Sequence, residues 1–147
     1  LTDLAMNYYT KALDIAQKNN LNEEEAILCN NIASIFQTQK KYDESDSLFK
    51  RAIIINEELK VPQRLFVNYN NLSVNYAHKK DYNKALEYAF LAVHQLDAAR
   101  DSDMIILMQR NIGSIYLKQK EPRMALQLLK QGEDYQLKHH LVRILYI

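Results

Sequence analysis

Apolar and polar positions follow a helical rhythm along this chain, and the rhythm repeats. Cys29-x2-Ile32-Ala33-x2-Phe36, Tyr69-x2-Leu72-Ser73-x2-Tyr76 and Gln109-x2-Ile112-Gly113-x2-Tyr116 carry the same sizes and polarities at three- and four-residue steps. Such steps put a stripe on one helix face. Asn31, Asn71 and Asn111 sit inside these phrases at equal gaps of 40 residues. A second stripe follows each phrase. Small residues stand at Ala5, Ser45, Ala85 and Ala125, and again seven positions later at Ala12, Ala52, Ala92 and Gly132. Between them lie Tyr9, Phe49, Ala89 and Leu129. Small side chains seven apart share a face and let a neighbouring helix approach closely. A fixed period of this kind means stacked copies of one unit rather than a single globular core.

The unit is a helical hairpin. The pattern predicts a second helix of a partial repeat over 2–18, then helix pairs over 22–38/42–59, 62–79/82–99 and 102–119/121–138. The corresponding division is 1–25 for the lone second helix and 26–65, 66–105 and 106–145 for the repeats, with 146–147 starting a further helix. Leu141 to Ile147 would begin that helix, because Ile144-Leu145-Tyr146-Ile147 copies Met104-Ile105-Ile106-Leu107. Both ends therefore read as cut within an array. Terminal repeats normally show a polar outer face, so neighbouring repeats or a homodimer contact through the terminal helices is expected to cover Leu4, Tyr8 and Tyr9. The loops are polar, and Pro122 suits the first turn of a helix, where its missing N–H costs nothing. Asp43, Glu44 and Glu121 place negative charge near helix starts, as the helix dipole favours. The fold class expected is all-α, a right-handed superhelical solenoid of antiparallel helix pairs.

Composition sharpens this reading. With Gly 2 and Pro 2 among 147 residues, turns that need positive φ are expected to be scarce, which disfavours hairpin-rich β structure. The formal charge is +1 and the isoelectric point about 8.0, without the basic stripe of a nucleic-acid binder. No nucleic acid is expected as a partner of this segment. No apolar run approaches the roughly 20 residues that span a bilayer, so no membrane is expected either. Cys29 is the only cysteine. It rules out an intramolecular disulfide and fits a small buried thiol on an apolar stripe. The lack of a disulfide favours a cytoplasmic location without excluding an exported one.

At these residues the chain resembles the tetratricopeptide repeat family, whose pattern is a large residue, Leu-Gly, Tyr, and then Ala-x3-Phe in the second helix. No Trp fills the first large position, and Ala89 and Leu129 replace the second-helix aromatic. The 40-residue period exceeds the commoner 34 and resembles the repeats of kinesin light chains, spindle-orientation adaptors and many bacterial regulators. Positions two apart on a helix point about 200° apart, so Asn31 faces away from Ala33 and the packing side. The stripe through it reads Ile27, Asn30, Asn31, Ser34 and Thr38. Its equivalents are Val67, Asn70, Asn71, Val74, His78 and Leu107, Arg110, Asn111, Ser114, Lys118. In the resembled family this face lines a concave groove, which implies a protein or peptide partner here.

An Asn amide offers a donor and an acceptor together and can pair with a peptide group. Helices pack about 8–10 Å apart and an extended chain advances about 3.3 Å per residue. One Asn per repeat could therefore grip a ligand backbone every third residue or so, leaving Val74, Arg110, His78 and Lys118 to select side chains. The competing reading is that the amides bond a neighbouring helix or face water. Ile27, Val67 and Leu107 stand where family members that clamp a C-terminal carboxylate carry lysine, which disfavours that clamp. The expected ligand-binding set is Asn30, Asn31, Ser34, Asn70, Asn71, Val74, His78, Arg110, Asn111, Ser114 and Lys118. A different class of function also fits: a ligand-sensing or self-association segment of a larger bacterial transcriptional regulator or sensor kinase.

Catalytic and metal chemistry find no support. There is no Gly-rich phosphate loop and no nucleophile elbow. His139 and His140 point about 100° apart and make a poor chelating pair. Asp43-Glu44-Ser45-Asp46 lacks the glycine that a calcium loop needs. His94 belongs to a second-helix packing edge, and Tyr42, Tyr76, Tyr82 and Tyr116 to the core. No enzymatic activity, cofactor or metal is expected.

Overall fold

The computed structural model describes residues 2–97, 101–128, 130 and 131. It is all-helical. In chain order the helices are α1 (Thr2–Lys18), α2 (Asn22–Thr38), α3 (Tyr42–Glu58), α4 (Pro62–His78), α5 (Tyr82–His94) and α6 (Ser102–Lys118). Helical residues resume at 122–128, 130 and 131. All six named helices except α5 have 17 residues. From α2 onward, helix starts recur every 20 residues, and α2 and α3, the two helices of one repeat, have the same length. The expected further helix at Leu141–Ile147, the pair His139–His140, and Leu129 and Gly132 lie outside the described residues.

The junctions repeat as closely as the helices. Asn20, Lys40, Lys60, Lys80 and Lys120 have φ of 54, 61, 56, 63 and 66°. Each is the left-handed residue just past a helix end. The N–H of the following residue reaches back five positions: Leu21 to the Ala16 carbonyl (2.9 Å), Lys41 to Phe36 (2.9 Å), Val61 to Asn56 (3.1 Å), Asp81 to Tyr76 (2.9 Å) and Glu121 to Tyr116 (2.8 Å). The left-handed residue's own N–H bonds a carbonyl three positions back. This pair of bonds is the Schellman motif, which satisfies carbonyls the helix would otherwise leave open. The expectation that positive φ would be scarce is therefore overturned. Five junctions among the described residues use it, with Lys or Asn instead of Gly.

The helix starts rely on charge and register more than on caps. Among α2 to α6, Asp81 at the start of α5 alone caps by side chain, accepting from the Lys84 N–H at 3.2 Å; α2, α3, α4 and α6 lack such a bond. Glu23 to Glu25, Asp43 with Glu44, and Asp103 supply negative charge in first turns. Pro62 opens α4, and Pro122 opens the helical stretch after α6. Helix α5 ends at His94 rather than near residue 99. A turn follows at residues 95 and 96, and Asp97 and Asp101 exchange bonds at 2.8 Å, backbone N–H to carboxylate and backbone N–H to carbonyl.

Each helix packs on its chain neighbours, and α2 also touches α4. The core runs through Ala33, Phe49, Leu72, Tyr76, Ala85, Ala89, Ala92, Met108 and Ile112. Small residues at the helix crossings bring backbones within reach of side-chain hydroxyls. Ser45 Oγ donates to the Ala33 carbonyl (2.9 Å), and one repeat on Ser73 Oγ donates to the Ala85 carbonyl (2.7 Å). The two positions have exchanged the hydroxyl and kept the contact. At the α1 end the packing is incomplete: Leu4 is 56% and Tyr8 64% exposed, and Tyr9 is half-buried.

One junction differs from the rest. Gln37 Nε2 on α2 donates to Asn75 Oδ1 (2.7 Å) and to the Asn71 carbonyl (3.2 Å). Asn75, fully buried, donates to Ser45 Oγ (3.0 Å) and Asp46 Oδ1 (2.7 Å). Lys79 closes the cluster on Asp46 Oδ2 (2.7 Å) and Asp43 Oδ1 (2.9 Å). Burial works against the Lys79 charge, but these two carboxylates more than offset it and hold the ammonium above the usual lysine range. The equivalent positions one repeat on are Ala77, Ile115, Leu86 and Gln119, which cannot build such a cluster.

Candidate ligand-binding face

The packing sides of α2, α4 and α6 are sealed: Ile32, Ala33, Leu72, Ser73 and Ile112 are all buried. On the opposite side, Ile27, Val67 and Leu107 form a row in repeat register, exposed at 40, 41 and 51%. One turn on stand Asn31, Asn71 and Asn111, each half-buried. Ser34 is half-buried, while Val74 and Ser114 are exposed. His78 and Lys118 end the stripes of α4 and α6, both exposed. Arg110 is also exposed, beside half-buried Asn111; Asn70 is half-buried.

The amides of this face are not equivalent. Among the described residues, Asn70, Asn71 and Asn111 make no side-chain hydrogen bond, and none of their polar atoms is buried without a partner. Asn30 differs, because its Oδ1 accepts from Asn68 Nδ2 (3.0 Å), and Asn68 in turn accepts from Asn56 Nδ2 (2.9 Å). Asn68 and Asn56 are each 1% exposed. The neighbouring-helix reading thus holds for the Asn30 oxygen. Its Nδ2 makes a long 3.5 Å contact to Asn31 Oδ1. Ser34 Oγ is also engaged, donating to the Asn30 carbonyl of its own helix (2.9 Å). The His78 ring stacks on Tyr42, with centroids 5.3 Å apart. Arg110 and Lys118 have no carboxylate partner among the described residues.

Sequence reasoning passed over the residues behind the face. Asn56, Asn68 and Asn75 are buried amides at positions where the other repeats carry Ala16 and Leu96, Leu28 and Met108, and Ile35 and Ile115. That local break in the repeat was the available signal. Glu25 was also missed. It is 3% exposed and holds Arg51 Nε at 2.9 Å and Gln17 Nε2 at 3.1 Å. The Arg51 bond keeps its carboxyl below the usual carboxylate range, against the opposing effect of burial.

The aromatic positions divide. Tyr76 is buried and stacks on Tyr88 at 5.3 Å. Tyr82 and Tyr116 are half-buried and pack against the core, Tyr42 is half-buried outside it, and His94 is exposed. Tyr69 donates to Glu57 Oε1 at 2.7 Å, and burial pushes its phenol up to about 12. Cys29 is 1% exposed, and burial raises its thiol to about 11, as suits an inert packing residue. Among the described residues no His, Cys, Asp and Glu cluster could hold a metal ion, and no helix is long and apolar enough to cross a membrane.

A sequence model described as Tetratricopeptide repeat matches residues 23–89. No curated protein matches the chain in sequence. Among solved structures, BtubC (BKLC) from P. vanneervenii superposes with a TM-score of 0.81 at 24% identity, covering 95% of this chain and 58% of that one. This chain thus spans 58% of BtubC's length. The nearly identical TPR-like repeats from Podosopora anserina superpose with a TM-score of 0.77 at 18% identity, over 93% of this chain and 68% of theirs. The TPR domain of Arabidopsis FLU gives 0.69 at 16% identity, over 80% and 98%. At such identities the likeness speaks for the fold.

Proposed function

Starting from a chain that belongs to the tetratricopeptide repeat family, an all-α helical repeat scaffold of the kind that serves protein–protein interaction, we propose that it binds an extended peptide or protein segment. The binding surface in this reading is the groove face of α2, α4 and α6, with repeats divided at 26–65, 66–105 and 106–145. The family is generally a non-catalytic scaffold. The observation that carries the proposal is the row of unengaged amides at Asn71 and Asn111, in register with Asn31 and beside the open aliphatics Ile27, Val67 and Leu107. An extended strand needs main-chain partners at regular intervals and apolar surface for alternate side chains; the repeat-spaced amides and the exposed aliphatic row support that reading.

The test is to select binders from a displayed library of extended 12-residue peptides and measure one by fluorescence anisotropy. Asn71→Ala with Asn111→Ala is expected to weaken binding by tenfold or more, with the circular dichroism spectrum unchanged. Equal affinity for the double variant overturns the amide role. A second reading, self-association through α1, is favoured by exposed Tyr8 and Ile15, because at the same register positions Leu48 and Tyr88 are half-buried and Ile55 is buried. Light scattering across concentration tests it, and a strict monomer at every concentration would remove it.

A further inference from the structure

We infer that the ligand of this face is an acidic, oxygen-presenting segment, and that buried Asn68 is the positioning residue that fixes this choice in the first repeat. The inference rests on the groove reading above and goes further by naming the ligand's chemistry.

Two independent observations carry it. The first is the direction of the amide chain Asn56–Asn68–Asn30. Asn68 Nδ2 occupies Asn30 Oδ1 at 3.0 Å, so the Asn30 amide turns its N–H groups towards Asn31 and the open face. The chain runs this way because of what remains buried at its far end. As observed, Asn56 Oδ1 is the group left without a partner. The reverse direction would instead bury two unpaired N–H groups of Asn56, and orphaned donors are rarer in proteins than under-satisfied carbonyls. A group meeting Asn30 from outside must therefore supply an acceptor. One repeat on, Met108 replaces Asn68 and Leu96 replaces Asn56, so nothing of this kind dictates which way the Asn70 amide turns.

The second observation is charge. Residues 27–38, 67–78 and 107–118 contain no Asp or Glu, whereas they include His78, Arg110 and Lys118. Arg110 and Lys118 are exposed and have no carboxylate partner among the described residues. Glu24, exposed one turn before Ile27, is the acidic group nearest this face on α2, and Glu23 beside it pairs with Arg64. Charge complementarity then favours carboxylates on the ligand, above all opposite Arg110 and Lys118 and away from Asp103, which is exposed in the first turn of α6. The aliphatic row asks for apolar side chains between them.

The probes are three fluorescein-labelled 12-residue peptides of repeating Val-Glu-Ser, Val-Gln-Ser and Val-Lys-Ser, titrated by anisotropy at low and moderate salt. The acidic peptide is expected to bind about tenfold more tightly than the neutral one, with the basic one weakest and the preference shrinking as salt rises. Arg110→Glu with Lys118→Glu is expected to reverse the order. Asn56→Leu with Asn68→Met installs the residues of the next repeat, so it is expected to fold with an unchanged melting temperature. It is also expected to narrow the acidic-over-neutral ratio several-fold, which a purely structural role for Asn68 would not do.

An acidic preference that this pair of substitutions leaves untouched overturns the role of Asn68. Equal binding of all three peptides, weakened by Asn71→Ala with Asn111→Ala, overturns the acidic preference and leaves the groove reading standing. A preference for the basic peptide also overturns it. No binding of any peptide at millimolar concentration overturns both readings.

Discussion

The left-handed junction residues make the most direct test of how this sequence encodes its fold. Four of the five are lysines: Lys40, Lys60, Lys80 and Lys120, with φ between 56 and 66°, and all four are exposed. An L-residue in this conformation crowds its Cβ against the following carbonyl, at a cost of roughly 1–2 kcal/mol. Glycine removes that cost but gives back roughly 0.5–1 kcal/mol through the greater freedom of the unfolded chain. Each Lys→Gly substitution is therefore expected to stabilise the array by roughly 0.5–1 kcal/mol, and all four together by about 2–4 kcal/mol, since they lie in separate junctions. With an unfolding entropy of about 2.1 cal/mol/K per residue over 147 residues, that corresponds to a rise in Tm of about 7–13 °C.

The assay is thermal and urea unfolding followed by circular dichroism, with single Lys60→Gly and the quadruple variant compared against Lys60→Ala. Alanine keeps the Cβ and loses the charge, so it isolates the backbone effect. If Lys60→Ala stabilises as much as Lys60→Gly, the gain comes from relieving charge and the backbone argument is wrong. If neither moves the midpoint, the residue is not held in the left-handed region.

Two further outcomes follow from the buried polar groups. The folded-state carboxyl of Glu25 lies below its ordinary value of 4.5, so the unfolded chain takes up the proton first as pH falls. Its contribution is fully present above about pH 4.5 and is lost on further acidification. Glu25→Gln is expected to lower stability at pH 7 and to flatten the acid-side loss in a series of urea melts; parallel profiles would refute this. Asn75→Leu strips Gln37, Ser45 and Asp46 of a buried partner and is expected to cost about 3 kcal/mol, the usual range for orphaned or unpaired buried polar groups. A urea midpoint unchanged by this substitution would show that the cluster contributes nothing.

The repeat itself was legible because packing imposes size. Ala33, Ser45, Ala52, Ser73, Ala85 and Ala92 are small where helices cross, and the 40-residue spacing of Asn31, Asn71 and Asn111 set the phase. Helices α2, α3 and α4 stand within a residue of the expected limits for the same reason. Glycine counting misled, since the Schellman hydrogen bonds hold Lys40, Lys60, Lys80 and Lys120 in a conformation their side chains do not favour. The short α5 was hidden because residues 95–99 continue a helical pattern while the Asp97–Asp101 exchange ends it. At the candidate face, position predicted exposure well. It could not predict partnership: whether Asn30 was free depended on Asn68, 38 residues away in sequence.

Turns after first helices and turns after second helices share one backbone geometry, as the near-equal torsions at Lys40, Lys60 and Lys80 make plain. A cut at any of these lysines would leave ends of the same shape. A tandem duplication of forty codons could therefore be spliced in at either kind of junction without a new connector having to evolve, and only the side chains would record which helix was the first of its repeat.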